Sequence, residues 1–311
     1  MASVIQVSSL SKNFGQNTVV DRLSFTVEQA DVYGFLGQNG AGKSTTIRML
    51  LTLIRPSSGE IKMFGMDLRT HRKEILRQVG AVIERPDLYK YLTGYENLSL
   101  FARMNRVDHS RKALMEQLDL VGLADRATDK VRAYSQGMKQ RLGIAVALVH
   151  NPQLIILDEP TNGLDPQGIA DMRNLILHLS RHMHKTVLVS SHLLSEIEQI
   201  ASRMIIIDKG RKMVEGSVEE LFDPSRTVVE IEAADPVSLV QWLGNSKWKS
   251  FVTGTTPGSA MLQLHQDDIP LLNHDLVYAG QQILSLQRKN SLENYFLHIT
   301  AGKQHVGSFT N

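Results

Sequence analysis

The sequence predicts an α/β fold with a partly parallel sheet, followed by a small α+β C-terminal domain. Three observations carry that expectation. Short apolar runs alternate with helical periodicity from residue 1 to about 225, as in sheets that bury both faces under helices. Gly37-Gln38-Asn39-Gly40-Ala41-Gly42-Lys43-Ser44-Thr45 fits the pattern G-x-x-x-x-G-K-[ST], with an apolar strand before it and a helical stretch after it. Asp223-Pro224-Ser225 then breaks the chain, and a shorter strand–helix series begins.

In order, strands are predicted at 4–7, 23–27, 32–36, 60–64, 79–83, 154–157, 186–189 and 204–207, as apolar or alternating runs separated by turn residues. Gly210-Arg211-Lys212 turns the chain into a short strand at 213–215. Between about 85 and 134 no strand run occurs. There 95–104 and 111–120 carry helical periodicity, which predicts a helical insert in the α/β core. Beyond 225, strands are expected at 227–233, 249–254, 260–265 and 279–286, and helices at 236–243, 267–273 and 291–299. That order, βαββαβ plus a helix, is compatible with a ferredoxin-like sandwich. The expected domains are 1–225, with its insert at about 85–134, then 226–300, then a frayed tail at 301–311.

Bulk composition narrows the function. At 311 residues the chain has room for two domains, and an apolar share of 42% supports real cores. A net charge of +2, with Lys and Arg spread along the chain and no dense basic run, is too small to argue for nucleic acid as a partner. With no cysteine, disulfides, thiolate metal sites and a Cys nucleophile are excluded. No apolar stretch approaches bilayer length, and the N-terminus lacks the charged and apolar regions of a signal peptide. The expectation is a soluble, cytoplasmic chain whose membrane role, if any, runs through a partner.

Four segments carry chemistry. In the glycine loop, backbone N–H groups can close on phosphate oxygens and the helix N-terminus adds positive potential. Lys43 is placed to reach the β- and γ-phosphates, and the Ser44 hydroxyl to ligate Mg²⁺. The loop therefore points to a nucleoside triphosphate without saying what its energy drives. Leu154-Ile155-Ile156-Leu157 ends in Asp158 and Glu159. Asp158 is placed to hold Mg²⁺, directly or through water, and Glu159 to polarise an attacking water. An acidic turn after a strand is also common. Tyr134-Ser135-Gln136-Gly137-Met138-Lys139-Gln140-Arg141 puts a hydroxyl and N–H groups at a helix start. That is a second anion site or an ordinary Ser cap. Ser190-Ser191-His192 offers an imidazole to a γ-phosphate, or a polar strand end.

Taken together, these segments resemble the ATP-binding cassette (ABC) ATPases. The order is phosphate loop, helical insert, signature at Ser135, Walker B at Asp158 and Glu159, D-loop at Asp165 and switch His192. The resemblance covers residues 1 to about 222. It implies a P-loop NTPase cassette, with a RecA-like core in a mixed sheet and a helical subdomain. It also implies two cassettes sandwiching two ATP molecules, each between the phosphate loop of one copy and the Ser135 segment of the other. Phe14, in Asn13-Phe14-Gly15, matches the aromatic that stacks on adenine. Gly37, Asn39, Gly40, Gly42, Lys43, Ser44 and Thr45 match the residues around phosphate and Mg²⁺, Ser135 and Gly137 the signature contacts, and Asp165 the residue coupling two sites. Glu159 and His192 match the catalytic positions.

Two departures stand out. The family usually has Gln after the strand at 79–83, as a Mg²⁺ and water sensor, and here that place holds Glu84. A carboxylate still ligates Mg²⁺ but adds charge. The signature reads Tyr-Ser-Gln-Gly-Met instead of Leu-Ser-Gly-Gly-Gln. These segments, with Thr93-Gly94-Tyr95-Glu96-Asn97-Leu98 and the C-terminal Ser291-Leu292-Glu293-Asn294-Tyr295-Phe296, look like the ATPase subunits of ABC-2-type exporters in the bacitracin-resistance and lantibiotic-immunity group. The implied partners are an integral membrane permease and a second copy of the chain, with no nucleic acid, at the inner face of the cell membrane. The implied cargo is an antimicrobial peptide or a lipid-like molecule. The permease's docking helix would meet Tyr89, Tyr91, Leu92, Tyr95 and Leu98, unless these form the core of the insert. The alternatives are a soluble ABC ATPase acting on nucleic acid or ribosomes, and a GTPase switch. Against the first stand a single phosphate loop and no basic tail, and against the second the lack of an [NT]-K-x-D motif. His178 and His182 are spaced for a metal but read better as an exposed polar face, and Trp242 and Trp248 as core anchors.

Overall fold

The computed structural model describes residues 3–221 and 227–289. The chain divides into two compact units, Met1–Ser217 and Val218–Asn311, upstream of the boundary expected near 225. The expected helix at 291–299, the tail at 301–311, the Ser291–Phe296 segment and the break at Asp223-Pro224-Ser225 lie outside the described residues.

Unit one opens with a hairpin, β1 (Ser3–Phe14) and β2 (Asn17–Glu28). Both strands run well beyond the predicted 4–7 and 23–27. Polar Ser8, Ser9 and Ser11 interrupt the apolar pattern, yet pairing continues across register shifts, with Ser9 and Arg22 both in the left-handed region. Next come β3 (Val32–Leu36), α1 (Lys43–Leu50), β4 (Ser58–Met63), β5 (Met66–Asp67), α2 (Arg72–Leu76) and β6 (Val79–Ile83). The insert supplies α3 (Gly94–Asn105) and α4 (Arg111–Leu120), followed by α5 (Gln136–Leu148). The unit closes with β7 (Leu154–Asp158), α6 (Pro166–Arg181), β8 (Thr186–Ser191), α7 (Leu194–Ile200), β9 (Arg203–Asp208) and β10 (Arg211–Ser217).

These strands form two sheets. One is antiparallel, in the order β2-β1-β4-β5. The other has the order β10-β9-β3-β8-β7-β6, parallel except for the β10–β9 edge. Every residue of β3, β7 and β8 is buried, which is why their centres read as apolar runs and polar side chains come only at their ends. Phe25 of the first sheet packs on Tyr33 and Phe35 of the second, so one apolar core fills the space between them. Because β3, β8 and β7 are parallel neighbours, the segments leaving their C-terminal ends meet at one edge. Those segments are the glycine loop, Glu159 and His192.

In the insert, Thr93 and Glu96 form a reciprocal cap on α3. Buried Asn97 accepts the Tyr89 N–H and donates to the Tyr89 and Thr93 carbonyls. It pins the loop between β6 and α3 to the helix.

Unit two contains α8 (Val218–Leu221), β11 (Thr227–Ala233), α9 (Pro236–Asn245), β12 (Val252–Thr255), β13 (Ser259–Leu264), α10 (Ile269–Tyr278) and β14 (Ile283–Lys289). From β11 onward the order is βαββαβ, in an antiparallel sheet ordered β12-β13-β11-β14. That is the ferredoxin-like arrangement expected from sequence. Leu239, Leu243, Leu272 and Leu276 cover one face of the sheet together with Trp248, and Trp242 packs against the same core. Three expected boundaries shift. The start of the strand placed at 249–254 is a 3₁₀ turn at Lys249–Phe251. The helix placed at 267–273 runs on to Tyr278, because Leu272 and Leu276 keep their face buried past the polar Asn273-His274-Asp275. The strand placed at 279–286 starts only at Ile283, after Gly280 turns the chain at φ +76°.

Candidate nucleotide site

The glycine loop links β3 to α1. Gly42 caps the helix with φ +105° and no side-chain cap, so the N–H groups of its first turn stay available. A Cβ at Gly42 would sit 2.9 Å from the Val19 carbonyl oxygen, and one at Gly37 would sit 2.7 Å from the Ile207 carbonyl oxygen. Gly40, at φ +85°, faces open space. Gly37 therefore answers to packing, Gly40 to backbone conformation and Gly42 to both. Gln38, Asn39, Gly40, Gly42, Lys43, Ser44, Thr45, Val19 and Glu159 line one cavity of about 170 Å³.

Lys43 is buried beneath a loop whose Asn39 and Gly40 are exposed. Its ammonium donates to the Gly37 carbonyl at 2.5 Å and the Gln38 carbonyl at 3.2 Å. It also lies 3.1 Å from Glu159 Oε1. That ion pair lacks the alignment of a hydrogen bond, so Oε1 keeps its lone pairs free. The other carboxylate oxygen, Oε2, meets His192 Nδ1 at 2.7 Å. The carboxylate is thus held between a lysine and an imidazole. Glu159 itself sits at φ +51°, a conformation that costs a non-glycine residue about 1 kcal/mol or more. Its N–H donates to Ser190 Oγ at 2.9 Å, and that hydroxyl donates to Asp158 Oδ1 at 2.5 Å. The strained turn is held by the neighbouring strand.

Asp158 is fully buried, and its Oδ2 has no hydrogen-bond partner. A buried carboxylate oxygen with no donor is costly unless a cation meets it. The site therefore fits a bound divalent cation. Among the described residues no three His, Asp or Glu side chains stand together as a cage.

Glu84 follows β6 as Glu159 follows β7, and the two strands pair Ile83 with Asp158. Both glutamates are left-handed, Glu84 at φ +55°. Its side chain is 60% exposed and bonded at 2.6 Å to Arg48 Nη2 from α1. Sequence reasoning missed Arg48, since nothing in the spacing of the two residues marks them as partners.

Of the residues expected at the site, Asn39, Gly40, Gly42, Lys43, Ser44, Thr45 and Glu159 line the cavity, whereas Gly37, Glu84, Asp158, His192, Phe14, Ser135, Gly137 and Asp165 do not. Ser135 Oγ caps α5 by accepting the Met138 N–H. Asp165 Oδ1 caps α6 by accepting the Gly168 N–H at 3.0 Å. A Cβ at Gly137 would lie 3.8 Å from Leu164, so the signature and the D-loop form a second cluster. One chain carries both halves of the expected sandwich, apart from each other. Phe14 is half exposed, with the Lys12 ammonium 4.8 Å from its ring centroid. The His178 and His182 rings meet tilted by 35° with centroids 5.0 Å apart, and among the described residues no group of three metal-ligating side chains includes them. Leu98 is fully buried in the insert, whereas Tyr89 and Tyr91 are exposed. The five residues considered for docking are thus split between core and surface.

Comparison with known proteins places this geometry. Residues 20–162 match the family described as ABC transporter. The chain is 41% identical to the bacitracin transport ATP-binding protein BcrA of Bacillus licheniformis, over 97% of this chain and 99% of that one. It is 38% identical to the lantibiotic transport ATP-binding protein SrtF of Streptococcus pyogenes, over 71% of this chain and 96% of that one. Among solved structures, cbiO1 of Clostridium perfringens, part of an ABC transporter complex, superposes with a TM-score of 0.66 at 25% identity, covering 71% of this chain and 91% of that one. An ATP-binding cassette caught as a dimer with ADP and Pi after hydrolysis gives 0.62 at 25% identity, covering 69% of this chain and 98% of that one.

Proposed function

The chain belongs to the ABC transporter family, and from that premise we propose that it energises an ABC-2-type exporter from the inner face of the cell membrane. It is the ATP-hydrolysing subunit of a transporter whose permease is a separate protein. The observation that carries the chemistry is the chain of contacts Lys43–Glu159–His192 beside the partnerless oxygen of Asp158. Lys43 and the glycine loop bind and orient the phosphates. Glu159 accepts a proton from the attacking water, and His192 orients Glu159 and faces the γ-phosphate. Ser44 and Asp158, with Glu84 nearby, would hold Mg²⁺, which offsets charge on the phosphates. Phe14 takes the adenine ring. Ser135, Gly137 and Asp165, which gather at the starts of α5 and α6, serve the nucleotide of the second copy.

We infer a cargo that is an antimicrobial peptide or a lipid-like molecule; relatives are named for bacitracin transport and for lantibiotic transport. Among the described residues no helix is long and apolar enough to cross a membrane, so the path for the cargo belongs to the partner. Exposed Tyr89 and Tyr91 at the β6–α3 loop suit a docking permease helix. The test is co-purification. The chain should bring down an integral membrane protein and neither RNA nor DNA. Tyr91→Asp should abolish that capture while leaving ATP hydrolysis by the isolated subunit unchanged. Capture of nucleic acid, or full assembly by the variant, would contradict this reading.

A further inference from the structure

Glu196 sits on α7, one turn past His192, and gathers the two segments that carry the hydrolytic pair. Thr161 Oγ1 donates to Glu196 Oε2 at 2.8 Å. Ser191 Oγ donates to the same oxygen, also at 2.8 Å. Thr161 belongs to the turn that follows Glu159, which is closed by the Asn162 N–H on the Glu159 carbonyl at 3.2 Å and the Leu164 N–H on the Thr161 carbonyl at 3.1 Å. Ser191 immediately precedes His192. Its hydroxyl also accepts the Leu193 N–H at 3.0 Å, and its carbonyl accepts the Gly37 N–H at 3.2 Å. One carboxylate oxygen therefore ties the Glu159 turn to the His192 strand end, and through Ser191 to the start of the glycine loop. The helix beneath it is anchored by buried Leu194, Ile197 and Ile200, so the carboxylate is a fixed point.

We propose that Glu196 is a positioning residue for hydrolysis: by holding Thr161 and Ser191 it sets the placement of Glu159 against His192. This rests on Glu159 and His192 being the hydrolytic pair. Both bonds end on a carboxylate oxygen, so each is stronger than a bond between two neutral groups. Loss of the carboxylate frees two hydroxyls, which then find water, and leaves the Glu159 turn and the His192 end joined only through Ser190 and the strand pairing behind them. Their contact at 2.7 Å would loosen without either side chain having changed.

The test compares Glu196→Ala, Glu196→Gln, His192→Ala and the Ala/Ala double variant of the full chain, by kcat, KM, ATP Kd and melting temperature. Glu196→Ala should lower kcat by about tenfold or more, with ATP Kd and melting temperature near those of the parent chain. Glu196→Gln should recover most of the rate, because its amide oxygen still accepts from both hydroxyls. The double variant should be no slower than His192→Ala alone, since both changes break one contact. Parental kcat in Glu196→Ala, or losses that multiply in the double variant, would overturn the proposal. If His192→Ala itself turns over normally, the hydrolytic pair is misassigned and the proposal falls with it. Should Glu196→Ala fail to fold, Thr161→Val combined with Ser191→Ala removes the same two bonds. The same loss of kcat supports the proposal, and an unchanged rate overturns it.

Discussion

The Lys43 ammonium and Glu159 Oε1 lie 3.1 Å apart, with the two side chains only 5% and 15% exposed. The cation we propose binds phosphate and the base we propose activates water thus share one contact. On that reading a triphosphate competes with Glu159 for Lys43, and changing either charge should alter both affinity and rate.

Lys43→Ala should weaken ATP binding by at least about tenfold, since a buried charge-assisted contact is lost. It also leaves Glu159 without its cation. Titration with a fluorescent ATP analogue measures this, and an unchanged Kd would remove Lys43 from the site.

Gly42→Ala and Gly40→Ala should differ. Both backbones are left-handed, which costs an alanine about 1–2 kcal/mol. Only at Gly42 does the new methyl also strike a backbone carbonyl, 2.9 Å away. Urea unfolding should show the larger loss for Gly42→Ala, and the same variant should lose ATP binding. Equal effects would mean that packing against Val19 is unimportant.

His150 sets a pH dependence. Its Nε2 meets the Val79 carbonyl at 3.1 Å, and its Nδ1 is buried without a partner. Burial holds its pKa below the usual value near 6.5, against the opposing pull of the Val79 carbonyl and with help from Lys185. The unfolded chain then takes up a proton that the folded chain refuses. Stability falls as pH drops through about 6.5 toward the lowered folded value. His150→Gln keeps a donor for Val79 and cannot titrate. Its denaturant midpoint should vary less between pH 7 and pH 5 than that of the parent chain. Identical pH profiles would contradict the assignment.

Much of this site was legible before the structure, because phosphate chemistry needs fixed residues at short spacing. The glycine loop, Asp158-Glu159 and Ser190-Ser191-His192 each sit at the end of a buried strand whose apolar run is plain in the sequence. The partners that join them were not legible. Ser190 to Asp158, Glu196 to Thr161 and Arg48 to Glu84 are contacts across strand order and helix ends, and no local pattern encodes them. Boundaries failed where polar residues sat on an exposed face, as at Asn273-His274-Asp275 in α10, or where bulges let a strand continue past serines, as in β1.

Trp248→Ala should separate the two units in function. Trp248 is buried among Leu243, Leu262 and Leu272, and its Nε1 donates to Asp275 Oδ2 at 3.0 Å. Its loss should cost the second unit about 3–5 kcal/mol. ATP affinity should stay within about twofold, since every cavity residue lies in the first unit. Loss of ATP binding in a folded variant would mean that the second unit contributes to the site.

The most direct test of the account is single-turnover hydrolysis by Glu159→Gln, measured with ATP Kd on the same protein. Removing the carboxylate ends its competition for Lys43 and removes the base. ATP should bind at least as tightly as to the parent chain, hydrolysis should slow by at least about a hundredfold, and a nucleotide-bound dimer should accumulate. Turnover near the parental rate, with Mg²⁺ and ATP saturating, would show that Glu159 does not activate the water.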